Sequence, residues 1–242
     1  MAFSQNQPAH HGQAHQLKDY CPPEEGPWQP LFLDEHLLVV DKASGLLTVP
    51  GRGEHLQDCL IHRVQRHCPD ALIVHRLDMD TSGLVLLGRG AGMQRALSQL
   101  FMQRLVDKQY QALVHGHPQG TKGEVDLPLS TDWPNRPRQQ VDFVNGKPSR
   151  TLFQVMNGPA TGLPEQVSQG LSRMLLEPLT GRSHQLRVHC LAMGHPIAGD
   201  PLYGDALQAH APLDRLMLHA TRLSFVHPVT GQSLVLNSPC PF

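Results

Sequence analysis

The chain reads as an α+β domain: a mixed, mostly antiparallel sheet flanked by helices and loops. Three observations predict it. Short apolar runs bounded by turn residues recur along the 242 residues and suit strands in a sheet interior. Stretches with helical spacing lie between the early strands. Several strands then follow one another late in the chain, separated by Pro- and Gly-punctuated connections. No internal repeat interrupts this order.

Taken in sequence, residues 1 to about 27 are rich in Gln, His and Pro and poor in large apolar groups, so a disordered or loosely draped polar tail is expected there, with one folded domain over 28–242. His10, His11 and His15 belong to that tail and read as polar residues rather than a metal site. "LFLDEHLLVVDK" suggests two short strands around a turn. "GEHLQDCLIHRVQRHC" spaces Leu56, Leu60 and Val64 four apart, along one side of a helix. Ala71 to Val74 and Leu84 to Leu87 read as buried strands, with "HRLDMDTSG" as a polar turn between them at the end of the sheet. "MQRALSQLFMQRL" is a second amphipathic helix and "KQYQALVHG" a strand. "LFQVM", "SRMLLEPL", "LMLHATRLSFV" and "QSLVLN" are the later strands.

Composition narrows the class. An apolar fraction of 40% is enough for a core. No apolar run approaches the ~18 residues of a membrane helix, and "MAFSQNQPAHHGQAHQ" lacks a signal peptide's hydrophobic centre. A cytoplasmic protein without a membrane partner is expected. Cys21, Cys59, Cys68, Cys190 and Cys240 are odd in number and scattered, which argues for reduced thiols. The net charge of −1 averages two unlike parts: residues 1–41 hold one Lys against six acids, −5, and the remainder is +4. That excess is compatible with phosphate contacts.

The turn "HRLDMDTSG" raises the functional question. Asp80, Thr81, Ser82 and Gly83 have the chemistry that turns use. Asp78 comes first, directly after Arg76 and Leu77, and a plain turn does not require it. In "GRSHQLRVHCLAMGHP", read as a helix, Leu186, Cys190 and Met193 form an apolar stripe while His184 and Arg187 project together beside it. An Arg on such a margin can lie along the core and present its guanidinium at the sheet's end. A carboxylate beside a guanidinium keeps its charge when partly desolvated, which is the state a nucleophile needs. Asp78 is the candidate. Tyr110, in an alternating strand, is either a half-buried wall residue or a flat ring for a base to stack on, with a hydroxyl for proton transfer. Arg136, Arg138, Lys147 and Arg150 lie near Trp133 and Phe143, a mixture that suits single-stranded RNA or a solvated loop.

Three other chemistries fit less well. "LVLLGRGAGMQRAL" runs strand, Gly-rich loop, helix, but Gly88, Gly90 and Gly92 give G-x-G-x-G with Met93 where the last Gly of a dinucleotide fingerprint belongs, so a flexible connector is expected. Zinc is disfavoured because His184 and His189 point about 140° apart on a helix, and His184 and His195 lie roughly 16 Å apart along it. His75, Asp78 and Ser82 sit in too short a window to supply a serine hydrolase with base and orienting acid. A pure binding module on the same fold is the remaining alternative.

Together the motifs resemble the RluA family of pseudouridine synthases. "HRLDMDTSG" matches every fixed position of its catalytic signature, His-Arg-Leu-Asp-x-x-Thr-Ser-Gly. "VVDKASGLLTVPG", "KQYQALVHG" and "LTGRSHQLRVHCLAMGHPIAGDPLYG" are similar to its first motif, its Tyr-bearing strand and its late basic motif. The resemblance implies the pseudouridine-synthase fold, RNA as partner, and neither cofactor nor metal; a monomer is expected. It implies Asp78 as nucleophile toward an extruded uridine, Tyr110 as stacking group and base, and Arg187 as holder of the Asp carboxylate. Arg76 would enter the RNA where the uridine leaves. Lys42, Arg182, His184 and Gln185 would be RNA-side contacts, with Arg136 and Arg138 in the basic loop. Many relatives carry an S4-type RNA-binding domain first, which residues 1–27 are too few to form. That feature and "LPLSTDWPNRPRQ" resemble the member that acts on both a 23S rRNA hairpin and a tRNA anticodon stem-loop.

Overall fold

The structure, a computed structural model, describes residues 20–156, 170–204 and 213–242. Its frame is a long sheet. The strands are β1 (Phe32–Leu33), β2 (Leu37–Lys42), β3 (Ala71–Ile73), β4 (Ser82–Arg89), β5 (Asp107–His115), β6 (Lys122–Asp126), β9 (Arg150–Val155), β10 (Leu171–Pro178), β11 (Leu218–Val226) and β12 (Ser233–Asn237). Their order is β1-β2-β4-β11-β5-β10-β9-β6, with β3 added to β4 and β12 to β11. Two further short strands, β7 (Leu129–Thr131) and β8 (Gln139–Val141), pair separately as a hairpin. Every ladder among the described residues is antiparallel except β4 with β11. The expected α+β class, with a mixed, mostly antiparallel sheet, is what forms.

The parallel contact is short. His219 and Ala220 of β11 face Ser82 and Gly83 of β4, after which β11 turns to β12 and the far end of β4 pairs with β3. Gly83 has φ +110, and a Cβ there would lie 2.4 Å from the Ala220 carbonyl oxygen. Only a residue without a side chain lets the two backbones close at this point, which explains the Gly that ends "HRLDMDTSG".

Among the described residues three helices cover the sheet: α1 (Leu60–Gln65), α2 (Gly90–Met102) and α3 (Gln185–Ala192). Leu38, Val40, Val85 and Leu87 pack with Leu60, Ile61 and Val64 of α1. Leu37, Val39, Leu84 and Leu86, pointing the other way, pack with Met93 and Leu97 of α2. β2 and β4 are therefore buried on both faces, as their unbroken apolar runs require. A third cluster seats Leu186 and Cys190 of α3 on Ala112, Val114 and Met174.

Some expectations need correction. Leu56 is not on the α1 helix: it sits in a separate 3-10 turn, Glu54–Leu56, and Cys59, at φ −156, breaks the chain before α1 begins. The Gly88–Gly92 segment is not a flexible connector, because β4 runs to Arg89 and α2 starts at Gly90. Order begins earlier than residue 28. Tyr20 accepts the Leu47 N–H and donates to the Asp58 carbonyl, Arg63 reaches the Pro23 carbonyl, and Trp28 stacks on His67. The rest of the tail, with His10, His11 and His15, lies outside the described residues.

Candidate active site

The loop from Val74 to Thr81 joins β3 to β4 and closes on a Thr81 N–H to Asp78 carbonyl bond of 3.2 Å. What pins this loop is the end of β2 and the segment that follows it. Thr48 Oγ1 donates to the Leu77 carbonyl (2.7 Å), Lys42 Nζ to the Met79 carbonyl (2.8 Å) and Ser44 Oγ to the Asp80 carbonyl (2.6 Å). Three side chains of one segment thus hold backbone oxygens on both sides of Asp78.

Lys42 was expected at the RNA side and is not there. Its side chain is fully buried, and Nζ also donates to the carbonyls of Ala43 (2.9 Å) and Leu46 (2.7 Å). Burial pulls its pKa down to about 7, against the attraction of Asp80 and Asp78. Three carbonyl acceptors match the three donors of the protonated form, so the group is a strut for the loop. Asp80, largely buried, has its pKa raised by desolvation, with Arg187 and Lys42 opposing.

Asp78 itself reaches into the open, with 27% of its side chain exposed. Arg187 Nη1 lies 3.7 Å from its Oδ2, and His184 Nε2 lies 4.0 Å from its Oδ1. Arg187, Asp78 and Tyr110 line one pocket of about 110 Å³, and a second of about 190 Å³ adjoins it at Asp78. Tyr110 lies on β5 opposite Leu176 and Ala220. Burial raises the pKa of its hydroxyl well above the ordinary phenol, and the charge of Asp78 adds to the shift. The group is a neutral phenol at neutral pH.

Arg187 has a stronger partner than Asp78, one the sequence reading missed. Nε and Nη2 bond both carboxylate oxygens of Asp200, at 2.8 and 2.7 Å. Arg187 is 2% exposed and Asp200 fully buried. Asp200 Oδ1 also accepts the N–H groups of Leu202 (2.8 Å) and Tyr203 (3.1 Å). The signal was present in "AGDPLYG", where an Asp precedes a tight turn. The second missed residue is Tyr203. Its ring faces the Arg187 and Arg138 guanidiniums, at 5.2 and 5.1 Å, while its hydroxyl accepts the Gln139 N–H (2.8 Å) and bonds His184 Nδ1 (2.9 Å).

The other expected residues divide. Arg76, Arg182 and His184 line the pocket, Arg76 and Arg182 being exposed. His184 stands before α3 at φ 52, outside the helix assumed for it, and burial lowers its pKa while Asp78 opposes. Gln185 also lines the pocket but is 4% exposed, with its amide spent on Thr180, Thr151 and the backbone of Arg150 and Arg182. Arg136, exposed, lies 4.8 Å over the Trp133 ring, beside the β7–β8 hairpin. The hydrolase alternative loses its base. His75 Nε2 accepts the Leu86 N–H (2.9 Å), and Ser82 is turned away to the buried His219 (2.7 Å). Among the described residues no three His, Cys, Asp or Glu groups could hold a metal, and no helix is long and apolar enough to cross a membrane.

A carboxylate open to a small pocket, between a buried guanidinium and a neutral phenol at the end of a mixed sheet, makes this an acid-centred site. Residues 36–192 match the model of the RNA pseudouridylate synthase family, and the chain belongs to that family. It is 46% identical over 227 residues to the dual-specificity RNA pseudouridine synthase RluA of Escherichia coli K12, covering 93% of this chain and 99% of that one. The Vibrio cholerae protein of the same name is 44% identical over 93% of this chain and 88% of its own. Among solved structures, human RNA pseudouridylate synthase domain containing 1 superposes with a TM-score of 0.73 at 28% identity, covering 91% of this chain and 87% of that one. The activity is that of an RNA pseudouridine synthase, an isomerase acting on RNA.

Proposed function

We propose that the chain converts a uridine of the tRNA anticodon stem-loop and a uridine of a 23S rRNA hairpin to pseudouridine, with Asp78 as nucleophile. It works as a cytoplasmic monomer without cofactor or metal. The observation that carries the reading is the exposed Asp78 carboxylate beside the Arg187 guanidinium in the pocket walled by Tyr110. The dual-specificity relatives, matched over nearly their whole length, support two RNA classes.

The extruded uridine enters the pocket with its ring on Tyr110, and Arg76 takes the place it leaves in the RNA. Asp78 attacks at the ribose C1′ or the pyrimidine C6, and the bond from N1 to C1′ breaks. The ring turns, C5 bonds to C1′, and the bond made to Asp78 breaks, which returns the carboxylate. The C5 hydrogen leaves as a proton and N1 ends protonated, so product and substrate are isomers. A neutral phenol at Tyr110 serves both ends of that exchange: it gives its proton to the ring anion, and the phenolate then takes the C5 proton. Arg187 holds the carboxylate in place, and Asp200 holds Arg187.

The test is a map of pseudouridine in total RNA from cells with and without the gene. Loss of one site in tRNA and one in 23S rRNA is expected; loss in a single class refutes the dual assignment. Asp78→Asn separates the enzyme from a pure binding module, since it removes product and leaves RNA retention.

A further inference from the structure

His184 stands where the two cavities at Asp78 meet, since it lines both of them together with Asp78 and Arg187. Its position is kept at a cost. The residue before a helix is ordinarily extended and caps the first turn with its side chain; His184 is left-handed, at φ 52, and makes no cap bond. A side chain held in that region, which glycine occupies freely, is a mark of use. The ring is spent on the site instead of the helix, with 12% of the side chain exposed.

The bonds around the ring fix which nitrogen carries its proton. The Tyr203 hydroxyl has one hydrogen to give and lone pairs to accept with. It accepts the N–H of Gln139, the first residue of β8, at 2.8 Å, and among the described residues the acceptor for its own hydrogen is His184 Nδ1, at 2.9 Å. A proton on Nδ1 would leave that hydroxyl hydrogen without an acceptor, so Nδ1 offers a lone pair and Nε2 carries the N–H. Burial lowers the ring's pKa; Asp78 opposes and Arg187 adds, and Asp200 and Arg76 repeat that contest more weakly. The neutral ring is favoured. Nε2 is the nitrogen that faces Asp78, 4.0 Å from Oδ1, while Arg187 Nη1 stands 3.7 Å from Oδ2. The two oxygens of the nucleophile therefore differ: one faces a cation, the other a neutral donor.

We propose that His184 is a positioning residue of the reaction: its Nε2–H, aimed by the Tyr203 hydroxyl, donates to Asp78 Oδ1 as the nucleophile attacks and again as the carboxylate is released. The assignment rests on the proposed function. At 4.0 Å the contact is open, beyond the ~2.7–3.2 Å of an N–H···O bond, and such bonds tighten when substrate binds. No proton changes hands. When the bond to Asp78 breaks, its electron pair returns to the carboxylate, and the N–H is already in place for the charge that forms.

The test uses a tRNA anticodon stem-loop transcript tritiated at uridine C5, whose released label counts turnovers. His184→Ala lowers kcat about 10–100-fold, the span of a hydrogen bond to a charged group, with KM unchanged. His184→Gln, whose amide N–H reaches as far as Nε2, restores most of it. His184→Asn keeps the left-handed backbone, which Asn tolerates, but stops short of Asp78, so its kcat stays low. Tyr203→Phe lowers kcat in the native chain and adds little to His184→Ala, because the two act through one hydrogen. Recovery by Asn equal to that by Gln would show that the backbone alone matters, and a raised KM at native kcat would make His184 an RNA contact; either overturns the proposal. The tautomer is read without substrate. In the chain labelled with ¹⁵N-histidine, the ring signals that vanish in His184→Asn are expected to be those of the Nε2–H form at neutral pH, and an Nδ1–H form or an imidazolium overturns it. A native chain that shows the expected tautomer and releases no label strikes the proposed function instead.

Discussion

Replacing Asp200 by Asn tests the buried pair behind Asp78. The substitution keeps shape but deletes the charge that faces Arg187 through bonds of 2.8 and 2.7 Å, in a place where Arg187 is 2% exposed. Breaking such a pair from one side costs about 3–5 kcal/mol, because a desolvated charge is left behind. For a chain of this size each kcal/mol moves the melting midpoint by ~2–4 °C, so a fall of roughly 6–20 °C is expected in a thermal scan followed by circular dichroism. Asp78, at 3.7 Å from Nη1, is the nearest substitute partner. Arg187 would turn to it and quench the nucleophile, so pseudouridine formation falls at least as far as stability. The double variant Arg187→Met, Asp200→Asn removes both charges, keeps an acceptor for the Leu202 and Tyr203 N–H groups, and should recover most of the midpoint with no activity, since removing both members of a buried pair leaves no uncompensated charge. A single variant that melts within about 2 °C of the native chain, or a double variant no more stable than the single, would refute the reasoning.

The other expectations are briefer. Tyr110→Phe retains RNA but loses turnover by about 10²–10⁴, the span of a proton-transfer contribution; full activity would remove the hydroxyl from the chemistry. Lys42→Met removes three carbonyl contacts at 2.7–2.9 Å, to Ala43, Leu46 and the loop at Met79, and should cost ~2–4 kcal/mol in a urea titration while lowering turnover with KM little changed. A variant defective only in RNA retention would return Lys42 to the RNA side. His75 is neutral in the fold, its pKa pulled down to about 3 by burial and by Lys108. The unfolded chain takes up that proton first, so the stability is complete above the unfolded pKa of about 6.5 and declines as pH falls toward 3, by roughly 2 kcal/mol at pH 5. Denaturant midpoints at pH 7 and 5 should show that loss, and His75→Gln should reduce it; equal losses in both chains would contradict the assignment.

The sheet was legible because its central strands are unbroken apolar runs, and the site because its motifs are local. What escaped has a physical reason in each case. β6 is short and mostly exposed, and β7 and β8 are three-residue strands of mainly polar, half-buried residues, so no periodic apolar signal marks them. The continuous helix drawn through Leu56 failed because four-residue spacing is shared by a turn followed by a helix. Asp200 and Tyr203 are defined by what they hold, and that is visible only once β5, α3 and the 197–203 turn are assembled. Lys42 and Gln185 are polar and were assigned to the RNA side; what they bind is largely backbone, which carries no sequence identity.

The two supports of Asp78 divide the work, and their separateness is why distant motifs must coexist in one chain. The end of β2 and the segment that follows it bind only backbone in the loop, at Leu77, Met79 and Asp80, so they dictate where the carboxylate stands whatever residue 78 is. Arg187 binds only the side chain, and is itself oriented by Asp200 from the following turn. A position without a charge partner would leave a carboxylate free to pair with Arg76 or Lys108 on the same wall. A charge partner without a fixed loop would leave the attack distance undefined, which near-attack geometry of ~3–3.5 Å does not tolerate. Damage to the first support should therefore be repairable by no change at residue 187, and damage to the second by no change at residue 42. Additive losses in the Lys42→Met, Asp200→Asn pair would agree with that independence, and strong coupling between them would show one shared network instead.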